Sequence, residues 1–271
     1  MATPVEAALA RHRAISIGAL IVLTLAAWAW LLTGAGMEMK PFVSLAPISD
    51  GSSPMSGPMT KMAMTGPTAW PLSHFALIIS MWWVMMIAMM LPSAAPMILL
   101  YIRAAANPQA DVQPATGSFV AGYLIAWGAF SLGAALLQCL LEWAELLTPM
   151  MMASRSRWLS AGILVAAGIY QIGPLKDVCL RHCRSPAQFL SIHYRAGPIG
   201  ALRMGLLHGT FCIGCCWLLM ALLFVGGVMN LAWIALLTLM VAAEKLLPFG
   251  RYVSIAASLA CIAWGTVILL E

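Results

Sequence analysis

The sequence predicts an all-α fold, a polytopic transmembrane helical bundle of about seven spans. Composition is the first reason: 62% of the 271 residues are hydrophobic and 8% are charged, where soluble domains carry roughly 25% charged residues. The mean hydropathy of +0.93 points the same way. Run length is the second. A helix rises about 1.5 Å per residue, so about 20 apolar residues cross the roughly 30 Å of bilayer hydrocarbon. The third is the scatter of the basic residues, which lie between apolar runs instead of forming a stripe on one polar helix. A formal charge of +5 therefore speaks to membrane orientation and excludes a nucleic-acid surface as partner.

In chain order, the segments free of Asp, Glu, Lys and Arg are Ile15 to Leu32, Phe75 to Ile102, Gly117 to Leu141, Trp158 to Leu175, Met204 to Ala243 and Tyr252 to Leu270. The fifth is too long for one crossing. Gly226, Gly227 and Asn230 near its middle are turn formers that divide it into a helix pair. The first run follows Arg11 and Arg13 and precedes the small residues Thr33 to Gly36, the pattern of a secretory signal. Its apolar stretch exceeds a signal core, and Trp28 and Trp30 suit an interfacial belt, so residues 1–32 are read as an uncleaved anchor. Residues 33–72 form an external loop rich in Met, Pro and Gly, without helical or strand periodicity. Residues 73–271 make up the metal-binding helical domain.

Lys and Arg favour the cytoplasmic side. With the N-terminus inside a bacterial cytoplasmic membrane, seven crossings put Arg11, Arg13, Arg103, Lys176, Arg181, Arg184, Arg195, Arg203 and Arg251 inside, and Lys40, Lys61, Arg155 and Arg157 outside. The C-terminus is then external. The segment Lys176 to Arg203 becomes an internal loop carrying Cys179, His182, Cys183 and His193.

The strongest chemical signal is His208-Gly-Thr-Phe-Cys212-Ile-Gly-Cys215-Cys216-Trp217. Residues three and four apart share a helix face, so His208, Cys212 and either Cys215 or Cys216 form one stripe. Soft thiolates select Cu(I), zinc or iron-sulfur centres, whereas magnesium or calcium needs oxygen donors. The plainer reading is that each Cys packs as a small apolar side chain. The second span carries Met81, Met85, Met86, Met89 and Met90 ahead of Pro92. Thioethers hold Cu(I) without losing a proton, although a Met stripe also serves as packing material. Counted from Arg103 and Arg203, Met90 and Cys216 each lie thirteen residues in, roughly 20 Å along a helix, a depth at which Met85, Met89 or Met90 can meet the thiols.

Glu244 is an intramembrane carboxylate, costly there and hence functional by default. It is expected to add a ligand or to orient the His208 imidazole, or else to pair with Lys245 or an Arg of another span. Cys179-Leu-Arg-His182-Cys183 can pinch a second metal, with Lys176, Arg181 and Arg184 favouring the thiolate form, and so act as a relay into the deeper site. Met37, Met39, Met55, Met59, Met62 and Met64 in the external loop can collect copper weakly or rest on the bilayer. Glu142 and Glu145 read as exposed boundary charges, Cys139 and Cys261 as packing. Phosphate-cradling, zinc-protease and serine-nucleophile motifs are missing from the sequence, which weighs against an enzyme.

The runs Met81 to Ser93, Tyr170 to Pro186 and His208 to Trp217, with Gly226 to Asn230 and Glu244 to Pro248, resemble the bacterial family of predicted metal-binding integral membrane proteins catalogued as domain of unknown function 2182. The likeness covers about Ser73 to Arg251. It implies a membrane metal protein with a copper-handling or chaperone role and no known reaction. The expected cargo is Cu(I), with zinc or iron as alternatives, for delivery to a copper-dependent enzyme or exchange with a metallochaperone. The rival readings are a membrane thiol oxidoreductase using Cys212, Cys215 and Cys216 with a quinone, and an assembly subunit in which the metal is structural.

Overall fold

The computed structural model describes residues 4–34, 72–105, 112–148 and 152–270. The external Met-rich segment, including Met37, Met39, Met55, Met59, Met62 and Met64, lies outside them. Among the described residues there are ten helices and no strand, only an isolated bridge between Leu147 and Ser154.

Helix α1 (Pro4–Leu32) packs along α2 (Leu72–Ala104) through Leu20, Ala27 and Leu31 and leaves much of its apolar surface uncovered. α2 continues through Pro92 and Pro96 without a break and buries its methionines. α3 (Val112–Trp143) pairs with α7 (Gly197–Ala221), and α4 (Arg157–Ile172) with α10 (Gly250–Leu270). The α3–α7 pair is tight because of Gly122 and Gly205. A Cβ on Gly205 would run into the carbonyl oxygen of Phe119, and one on Gly122 into that of Leu202. Small residues that let backbones touch are the usual means of holding helices together where lipid removes the hydrophobic drive.

The division of the long fifth run is as expected. α7 ends at Ala221, a single turn α8 (Leu223–Gly226) follows, and Gly227 takes φ 90° before α9 (Leu231–Leu246). Asn230 caps α9 by accepting from Ala232 N–H at 3.1 Å and donates to the Gly226 carbonyl at 3.0 Å. This satisfies a new helix's first free donors inside the protein.

One expectation needs correction. The segment Lys176 to Arg203 is not a loop: it folds as α5 (Pro174–Arg184), α6 (Pro186–His193) and the first turns of α7. Pro174 and Pro186 occupy opening helical positions, where a missing N–H costs nothing. In α5, Asp177 in the first turn and Arg181, His182 and Arg184 in the last complement the helix dipole. The number of spans is supported in part. Among the described residues, five helices are long and apolar enough to cross a membrane: Arg11–Leu32, Leu72–Ala104, Ala115–Trp143, Gly197–Gly226 and Gly250–Leu270. Counting α4 with α5, which bend by 62°, as one broken crossing gives up to six. α4 and α9 have 16 residues each, about 24 Å of helix, which is why the count of seven is not reached on length.

Candidate metal centre

Cys212, Cys215 and Cys216 lie on the buried side of α7, each 1% exposed. Mid-helix thiols need acceptors, and here the preceding turn provides one. The thiols of Cys215 and Cys216 both donate to the Cys212 carbonyl, at 3.0 and 2.9 Å. Both therefore turn back toward Cys212, and the stripe keeps all three instead of choosing one of the last two. From α5, the Cys183 thiol comes against those of Cys212 and Cys215. Cys179, one turn earlier, rests its sulfur on Gly214, where a Cβ would stand 2.7 Å from it. The Cys pair of the basic segment is thus folded onto the α7 thiols.

From α2, Met90 brings its sulfur within 3.9 Å of Cys216 Sγ. Met85 and Met89 are buried in the core, each 1% exposed. Three polar neighbours complete the cluster, and none of them was a sequence-derived candidate. Lys245 of α9 directs Nζ to Cys212 Sγ at 2.9 Å and Ser93 Oγ at 3.4 Å, with Met90 Sδ at 4.0 Å. The Tyr123 hydroxyl donates to the Met90 carbonyl at 3.1 Å and lies 3.2 Å from Cys212 Sγ. The signal for Lys245 was present in the sequence: a lysine beside Glu244 at the end of an apolar run, assigned only as a partner for that glutamate.

His208, one turn before Cys212, is 3% exposed. Its ring stands among Phe119, Tyr123 and Phe189 at centroid distances of 6.2, 5.9 and 5.5 Å, and its Nδ1 has no hydrogen-bond partner. His182 stacks flat on Phe211 at 4.1 Å with Nδ1 against the Val178 carbonyl. His193 stacks on Phe189.

Glu244 does not join the cluster or reach His208, and its ion pair is with neither Lys245 nor an arginine. Its carboxylate meets Lys176 Nζ at 2.7 Å, Gln171 Nε2 at 2.8 Å and the Ser254 hydroxyl at 3.0 Å, while Lys176 also donates to Gln171. Glu244 and Lys245 are consecutive, so the helix sends them about 100° apart, to different neighbours. The expectation that Lys176 and Arg184 electrostatically activate Cys179 and Cys183 also gives way. Lys176 is fully buried against Glu244, and Arg184 donates to the carbonyls of Leu247 and Pro248.

The donor set is soft: thiols from α5 and α7 and a thioether from α2. Such donors fit Cu(I) better than a hard cation. Among the described residues no three His, Cys, Asp or Glu side chains have the spacing of a closed coordination shell, so the sulfurs are gathered without being drawn to one point. All seven cysteines are free.

A family model described as PpoB2, copper chaperone, matches residues 79–268. The chain belongs to this copper-chaperone family. No curated protein and no solved structure matches it. The region shared with the copper-chaperone family takes in Met90, Tyr123, Cys183, the three α7 thiols and Lys245, and leaves α1 and residues 35–71 outside.

Proposed function

We propose that this copper-chaperone family member is an integral membrane protein that binds Cu(I) among Cys212, Cys215, Cys216, Cys183 and Met90 and delivers it to, or transfers it across the membrane for, a copper-dependent enzyme. The observation that carries the reading is the meeting of four thiols and one thioether from three helices in the buried interior. Packing alone explains one buried Cys, but not the convergence of soft donors from α2, α5 and α7. Cu(I) accepts low coordination numbers, and exchange between neighbouring thiolates needs no redox step. Metal binding requires deprotonated thiols, and these thiols lie where water is scarce. Cys179 and Cys183 on α5 then serve as the loading side, since α5 faces the basic end of the bundle. In this reading α4 with α5 and the short α9 also cross, giving seven spans with the N-terminus and α5 inside and the C-terminus outside.

Purification in mild detergent followed by copper and sulfur analysis tests the site. One Cu(I) per chain is expected, lost in a Cys212→Ser, Cys216→Ser double variant. A metal-free parent with a titratable disulfide would favour the thiol oxidoreductase instead. Reporter fusions at Asn107, Ser185 and Glu271 test the orientation: an external Ser185 fusion would reverse it.

A further inference from the structure

Lys245 is 8% exposed, and its ammonium sits among sulfur atoms and one hydroxyl, at 2.9 Å from Cys212 Sγ, 3.4 Å from Ser93 Oγ and 4.0 Å from Met90 Sδ. It takes part in neither of the two ion pairs formed among the described residues, Lys176 with Glu244 and Arg251 with Asp177. The carboxylate adjacent in sequence is committed to Lys176. A buried ammonium without a carboxylate is costly in a protein interior and more so in a bilayer. The cost is offset if the thiol it faces, that of Cys212 at 2.9 Å, carries negative charge.

We propose that Lys245 is the fixed counter-charge of the metal centre and makes it prefer monovalent over divalent soft ions. This rests on the copper reading above. A monovalent ion held by two thiolates leaves a net charge of minus one, which the ammonium at Cys212 cancels. A divalent ion on the same two thiolates is already neutral, so the ammonium leaves one uncompensated positive charge. It then has to recruit a third thiolate to restore neutrality. In a medium of low effective dielectric, one unit of unbalanced charge a few ångströms from the ion outweighs modest differences in sulfur affinity. Ser93 supports the arrangement by accepting from Nζ at 3.4 Å. Lys245 is thus a specificity-determining residue that does not itself ligate.

Two ions that both favour two thiolates in a line, Cu(I) and Hg(II), differ by one charge and form the test. Their affinities are measured by chelator competition on the detergent-solubilised full chain, for the parent and for Lys245→Gln and Lys245→Arg. Lys245→Leu serves as a second neutral variant should glutamine impair folding. Removal of the charge is expected to weaken Cu(I) by about 10–100-fold, the range seen when a residue supporting a metal site is lost, without weakening Hg(II). Lys245→Arg is expected to keep the parent's order of preference. Equal weakening of both ions, or no change in either, would overturn the proposal by making Lys245 a structural residue. A parent chain that holds no Cu(I), or holds it as well after Cys212→Ser with Cys216→Ser, would instead overturn the copper site itself, and the counter-charge with it.

Discussion

Glu244 and Lys245 are neighbours in sequence and open onto two unlike buried clusters. On one side, Glu244, Lys176, Gln171 and Ser254 form a closed set in which an ammonium and a carboxylate, 1% and 2% exposed, neutralise each other and the amide and hydroxyl take up remaining valences. On the other, Lys245 meets the Cys212 thiol, a thioether, Ser93 and, through Cys212, Tyr123. The first cluster has no spare donor capacity and ties α5 to α9 and α10. The second has sulfur lone pairs in excess and a cation without a carboxylate. A satisfied network holds helices in place; the second is the one to which the proposed function assigns a soft cation.

The comparison predicts different failures. Cys212→Ser or Cys216→Ser should abolish stable copper retention, an effect at least as large as the 10–100-fold, roughly, that follows loss of a supporting residue, while the helical content by circular dichroism stays that of the parent. Copper analysis after gel filtration measures it, and retention equal to the parent would erase the distinction between the clusters. Glu244→Gln should do the reverse. Leaving Lys176 buried and unpaired is expected to cost about 3–5 kcal/mol of stability, read as a lower unfolding midpoint in detergent, with copper still bound one per chain in the folded fraction. The double variant Lys176→Met, Glu244→Gln should recover most of that loss, since two neutral side chains of similar volume leave no orphan charge.

A subtler effect separates the two α5 cysteines. Cys179 is held over Gly214 beside the cluster and Cys183 touches the α7 thiols. Cys179→Ser is therefore expected to slow stopped-flow transfer of copper to a chelator with equilibrium occupancy unchanged, whereas Cys183→Ser should lower occupancy as well. Identical behaviour of the two would remove the gradient from the loading side to the interior. The smallest effects are expected at His182 and Cys261. His182 is committed to the Phe211 stack and the Val178 carbonyl, and Cys261 is on α10 in contact with the apolar core, so His182→Ala and Cys261→Ser should leave copper content and transfer rate at the parent's values.

The α7 stripe was legible because it is local. Spacings of three and four put His208, Cys212 and either Cys215 or Cys216 on one face whatever else the chain does. The meeting of Met90 with Cys216 was accessible from depth alone, since each lies thirteen residues in from Arg103 or Arg203 along its apolar run. The place of Cys183 was not, because Lys176 to Arg203 looks like a polar loop. Only when Pro174 starts a helix that bends back from α4 by 62° does Cys183 reach α7. Lys176 was misjudged for the same reason: a charged residue in a basic segment looks solvated until the tertiary fold supplies Glu244.

By itself, the sequence determined the all-helical class, the apolar lengths suited to a membrane, the turn at Gly227 and the soft character of the donor set, since each depends on composition or on contacts within one turn. Tertiary structure decided which carboxylate met which ammonium, which of Met85, Met89 and Met90 approached the thiols, and that Lys245 faced sulfur. Those pairings depend on how helices rotate and approach, set by contacts such as Gly122 and Gly205 between α3 and α7. A rotation of about 100° per residue separates Glu244 from Lys245, so the packing of α9 against α2, α5 and α10 was what assigned one to the closed network and the other to the sulfur cluster.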